Sequence, residues 1–78
     1  MGDRSFKFML ADLSKELLEK ANLAKADATR SGSDYDKGRQ FALYEVISLL
    51  TQQAEVFGVE LNEIGLSGVD PERDLLGT

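Results

Sequence analysis

The chain has 78 residues, a net charge of −5 and neither cysteine nor histidine. That length supports one domain at most, near the size at which a single core barely offsets chain entropy. Disulfides and the usual zinc or iron ligands are excluded as staples, so oligomerisation is the remaining help for so small a fold.

The opening stretch MGDRSFKFML does not fit a secretory leader, because Asp12, Lys15 and Glu16 interrupt the apolar run too early. Gly2 is present, but Phe6 stands where an N-myristoylation signal needs Ser or Thr. No window reaches 18 apolar residues, so no membrane span is expected, and the lack of cysteine suits a cytoplasmic protein. A first helix is expected over about residues 5–30, with Asp3 or Ser5 able to cap it. Its apolar positions are Phe6, Leu10, Leu13, Leu17, Ala21, Ala24 and Ala28, spaced 4, 3, 4, 4, 3 and 4 apart. That eleven-residue repeat predicts a nearly straight helix with one narrow core stripe, tapering from Phe and Leu to Ala.

RSGSDYD follows. Gly32 is a natural helix stop, and Ser33 with Asp36 has the S-x-x-D spacing of an N-terminal cap. So short a connection makes the flanking helices antiparallel neighbours. The second helix is expected over about residues 34–57, with Gly58 ending it. At about 100° per residue, Val56, Leu49, Ala42, Val46, Phe57, Leu50, Leu43, Ala54 and Ile47 spread over roughly 180° of its surface, and Gln53 is the polar member of that arc. One narrow stripe covers about half of such an arc. The expected cover for the rest, Leu43, Val46, Ile47, Leu50 and Ala54, is a second copy of the chain; the alternative is that the last twenty residues fold back over it.

Those residues, VELNEIGLSGVDPERDLLGT, hold Arg73 against Glu60, Glu63, Asp70, Glu72 and Asp74, a net of −4 that carries most of the chain's acidity. LNEIG has the make-up of one helical turn ending at Gly65, and Pro71 suits a helix start in DPERDLL. Leu61, Ile64 and Leu66 predict docking on the hairpin as far as about residue 66. Beyond Gly68 only Val69, Leu75 and Leu76 are apolar enough to hold the chain, so deleting residues 69–78 is expected to cost little.

Chemistry is sparse in this sequence. The six serines have no histidine to activate them, and paired carboxylates have no pocket in a two-helix unit, so the chain is expected not to be an enzyme. Asp34 with Asp36, or Asp70, Glu72 and Asp74, form acidic clusters, but Leu75 stands where a calcium loop needs glycine, and no metal or other cofactor is expected. The cations of helix 1 (Lys7, Lys15, Lys20, Lys25 and Arg30) are interleaved with Asp12, Glu16, Glu19 and Asp27, which argues for a solvated face and against nucleic acid. Phe41 and Tyr44 fall on the mainly polar side of helix 2. They either pack down on the fold or form, with Ser48 and Gln52, a patch for an unidentified protein partner.

The two helices of residues 5–57 and their short polar turn resemble the Rop type of architecture, in which two helical hairpins pair into an antiparallel four-helix bundle. That resemblance is topological and transfers no RNA-binding residues. The run GRQFALYEVISLL…QAEVFGVEL…IGL…DPERDLL, over residues 38–76, is similar to a set of small bacterial proteins of this length; it implies a small α-helical, dimeric protein and supplies no chemistry. The sequence therefore predicts an all-α homodimeric hairpin of one domain (1–78), acting as a non-catalytic interaction or regulatory module. A nucleic-acid-associated regulator of Rop-like architecture is the alternative.

Overall fold

The computed structural model describes residues 3–77; Met1, Gly2 and Thr78, and with them the myristoylation question at Gly2, lie outside the described residues. Helix α1 runs Asp3–Ser31 and helix α2 runs Asp34–Val56, followed by a 3-10 turn at Leu61–Ile64 and a π-helical turn at Glu72–Leu76. All regular structure among the described residues is therefore helical, and the two long helices pack side by side as a hairpin.

The turn between them uses the expected residues. Gly32 adopts φ +65, which a side chain would strain, and its N–H returns to Ala28 O at 2.9 Å. Ser33 then caps α2, its Oγ accepting from Asp36 N at 3.1 Å, while the Asp34 and Asp36 carboxylates face the positive end of the helix dipole.

The core line of α1 is displaced from the expected stripe. Ala21, Ala24 and Ala28 are buried as the spacing predicts, but Phe6 and Leu13 are exposed, and Ser14 and Leu18 take their place on the inner side. The reason is a third layer. The segment after α2 turns back and lies along one face of the hairpin, in contact with both helices. It reads Leu18 and Ala21 of α1 and Ile47 and Ala54 of α2 as a groove, and fills it with Ile64, Leu66 and Leu75.

The acidic tail is thus ordered to its last turn. The expectation that residues beyond Gly68 matter little is corrected, because Leu75 is only 1% exposed and packs on Ala21 and Ile47 at the centre of the core. Gly65, at φ +73, lets the backbone pass within van der Waals reach of α1: a Cβ there would lie 4.0 Å from Ala11 O. Three polar ties reinforce the packing. Lys25 Nζ donates to Asp74 O at 2.9 Å, Gln40 Nε2 to Leu75 O at 2.7 Å, and Lys7 Nζ meets Glu63 at 3.4 Å.

Candidate interaction surface

Helical geometry divides the hairpin into two faces. On α2, Ile47 and Ala54 share one side with Gln40, and all three face the tail. Going around the helix at about 100° per residue, Leu43 and Leu50 come next, toward α1, and then Val46, Gln53, Ala42, Leu49 and Val56. On α1, Lys7, Leu18 and Lys25 lie on the tail side, whereas Phe6, Met9 and Leu13 lie on the opposite flank. Two contacts tie the two outer flanks into one surface. Asp27 of α1 pairs with Arg39 of α2 at 3.2 Å near the turn, and at the open end Phe6 and Leu10 share a groove with Leu50, Gln53 and Phe57.

The face away from the tail is therefore rich in exposed apolar side chains, with Lys20, Gln53 and the Asp27–Arg39 pair set among them. Of the eleven large hydrophobic side chains that stay exposed, eight belong to it: Phe6, Met9, Leu13, Tyr35, Val46, Leu49, Val56 and Phe57. They gather on the side that the tail leaves uncovered, and exposed apolar patches are in general a feature of interaction surfaces. Phe57 is 75% exposed and Leu49 56%. The open end of the face carries a groove of about 620 Å³ floored by Ile64 and walled by Phe6, Leu10, Leu50 and Phe57, with Gln53 the polar residue of its lining.

This surface is not the one expected from the sequence. Of Leu43, Val46, Ile47, Leu50 and Ala54, Ile47 is wholly buried and Ala54 nearly so, under Leu75, Ile64 and Leu66 of the same chain. Leu43 and Leu50 are half-buried against the same clusters, and only Val46 remains open. The half-arc that lacks cover is Ala42, Val46, Leu49, Val56 and Phe57; apart from Val46, expected under a second copy, these are the residues the expected division leaves to helix 1. The division was misplaced because α1 sits over the middle of the arc and the tail takes one edge of it.

The aromatic patch is split as well. Tyr44 is half-buried and packs on the cluster of Ala21, Ile47 and Leu75, on the tail side; Phe41 stacks against it, centroids 5.6 Å apart, and stays half-exposed. Ser48 is half-buried, its carbonyl accepting from Thr51 Oγ1 at 2.8 Å, and Gln52 is exposed. Tyr44 belongs to the packing of the fold, and Phe41 covers its outer edge.

The charged groups are engaged locally. Arg73 Nε meets Asp74 Oδ1 at 2.8 Å, and Asp70 N donates to Asp74 Oδ2 at 2.9 Å; the Arg73 hydrogen bond first, and that backbone N–H second, hold the Asp74 carboxyl down to about 2. The Glu63 carboxyl is lowered by the N–H of Glu60 and then by Lys7. Each shift comes from a neighbour on the surface and none from a closed pocket. No group of three or more His, Cys, Asp or Glu side chains converges among the described residues. Asp36 accepts from Ser31 Oγ, and Arg30 and Arg39 both reach Asp27, so these groups brace the turn.

Sequence reasoning missed Ser14, Lys25 and Gln40. Ser14 is fully buried and its Oγ has no hydrogen-bond partner. Lys25 and Gln40 hold backbone carbonyls of the tail, a role with no sequence signal, since a carbonyl acceptor exists at every residue. No helix among the described residues is long and apolar enough to cross a membrane. No protein family, curated protein or solved structure matches the chain, so neither the Rop-type pairing nor the bacterial set draws support from such comparisons.

Proposed function

We propose that this chain is a non-catalytic interaction module that works as a homodimer, using the face the tail leaves bare. The observation that supports the reading is the gathering of Phe6, Met9, Leu13, Val46, Leu49 and Phe57 on one side of a hairpin whose other side is closed by its own tail. A second copy offers the same apolar surface, and pairing two hairpins through it gives a four-helix bundle with the tails outside. The molecule's 44 × 20 Å outline is large enough for a standard interface, about 1,200–2,000 Å² counted over both copies.

Charge supports a protein partner over nucleic acid. Lys7 and Lys25 are tied to the tail, Arg30 and Arg39 to Asp27, and the chain carries a net of −5. The test is the dependence of the melt on protein concentration, because dimers gain stability by mass action. The melting temperature rises with concentration if the reading holds; a melt independent of concentration, from a particle of monomer mass, rejects it.

A further inference from the structure

We infer that the two copies meet with their α2 helices antiparallel about a two-fold axis at Val46, each copy's Tyr35 seating in the apolar groove of the other. This rests on the homodimer reading and specifies its geometry.

The bare flank of α2 is graded in size. From the turn to the open end it runs Tyr35, Gly38, Ala42, Val46, Leu49 and Gln53, and closes on Phe57. Apart from Tyr35 and Arg39, which is turned to Asp27, the first half is small and the second half bulky. About an axis at Val46, an antiparallel mate brings Gly38 to the level of Gln53 and Ala54, and Ala42 to the level of Leu49 and Leu50, so the small half meets the bulky half and the helices keep one spacing along their length. A parallel mate sets small on small and large on large, which wedges one end open and leaves the bulky end overpacked. A two-fold contact is also self-complementary, as a homodimer requires.

The axis then accounts for the groove. Tyr35 lies eleven residues before Val46 and Phe57 eleven after it. At about 1.5 Å per residue each is roughly 16 Å from the axis, so the same operation that pairs Val46 with itself brings Tyr35 over the other copy's Phe57. Tyr35 is 79% exposed on its own chain. The groove walled by Phe6, Leu10, Leu50 and Phe57 is open to receive a ring, and Gln53 supplies an amide for the phenol hydroxyl. Asp27 and Arg39 on this face already pair with each other, which lowers the cost of closing over those two groups.

The lack of native cysteine makes the geometry directly testable with single cysteines and a short bismaleimide. Val46→Cys is expected to link to itself in high yield, while Tyr35→Cys, some 33 Å from its mate by the same arithmetic, and Leu23→Cys, outside the face, are expected not to. Tyr35→Ala is expected to weaken dimerisation tenfold or more, with Leu23→Ala unchanged. Tyr35→Cys linking to itself, or Val46→Cys failing to link within a particle of dimer mass, overturns this register and leaves the homodimer standing. A Tyr35→Ala chain that dimerises like wild type overturns the seating in the groove. A wild-type particle of monomer mass, its bare face open to some other occupant, removes both this geometry and the homodimer beneath it.

Discussion

The two faces of this hairpin are built from the same two helices and end in opposite conditions. On the tail face, Ala21, Ile47 and Ala54 form a shallow trough that Ile64, Leu66 and Leu75 fill until Ile47 and Leu66 have no exposure left. On the bare face, larger side chains such as Phe6, Leu13, Leu49 and Phe57 stand out from the surface with nothing from their own chain over them. The trough takes an irregular strap with backbone anchors, which Lys25 and Gln40 supply; the ridge has no such cover from its own chain. The contrast explains how a chain this small is held together. The tail completes one core within the chain, and the second face is left bare, the face we propose for association.

The sharpest way to break the comparison is to remove the strap. Leu75→Ala should cost about 2–5 kcal/mol, since it opens a cavity beside Ile47 and Ala21, and deleting residues 69–78 should cost at least as much. In so small a domain, either change should leave the chain largely unfolded in a urea or thermal melt. Retention of the wild-type melt by both variants would mean that the tail is not the cover.

A second pair of substitutions separates packing from exposure within the aromatic patch. Tyr44→Ala removes a ring packed on the tail-side cluster and should cost about 2–3 kcal/mol, part of the penalty for a fully buried ring. Phe41→Ala, half in solvent, should cost less than about 1 kcal/mol by the same urea melt. Equal losses would place both rings in the core.

Ser14 sharpens the comparison from inside. Its hydroxyl is buried without a partner, and Ser14→Ala removes the desolvated group while improving helix propensity, so a gain of about 1 kcal/mol is expected in the melt. A loss would show that the hydroxyl is satisfied in solution.

The smallest effect concerns acid. Asp74 is held at about 2 by Arg73 and then by the N–H of Asp70, and Glu63 is lowered by the N–H of Glu60 and by Lys7. Both carboxyls have lowered values in the folded chain. Their contribution is therefore complete above the ordinary carboxylate range near 4 and is lost as the pH falls through the folded value. Amide protection at Asp70 and Leu75, taken relative to the intrinsic exchange rate at each pH, should fall between about pH 4 and 2, while protection in the middle of α1 changes less. A uniform loss of protection across both helices would contradict a tail-specific role.

Much of this architecture is legible in the residues. Gly32, Ser33 and Asp36 announce the turn, the spacing of Ala21, Ala24 and Ala28 announces the inner side of α1, and Gly65 and Pro71 announce the two short turns of the tail. The breadth of the apolar arc on α2 also announces that α1 cannot cover it. What the periodicity does not say is which edge of the arc each cover takes. That depends on where Leu66 and Leu75 come down after a glycine-rich reversal, and residues so far apart in sequence leave no local pattern. Hence Ile47 and Ala54 fell to the tail, and Leu49, Val56 and Phe57 were left open.

The central claim is that the bare face is covered by a second copy and the tail face by the chain itself. Light scattering on wild type and Leu49→Lys, side by side at the same concentration, tests it most directly. Leu49 is exposed in the single chain, so lysine there should leave each hairpin folded, yet a charge at the centre of the shared surface should prevent pairing. The account predicts a wild-type mass of twice 8.6 kDa and a Leu49→Lys mass of 8.6 kDa, with helical circular dichroism kept in both. Equal masses for the two proteins, whether both single or both double, would contradict it.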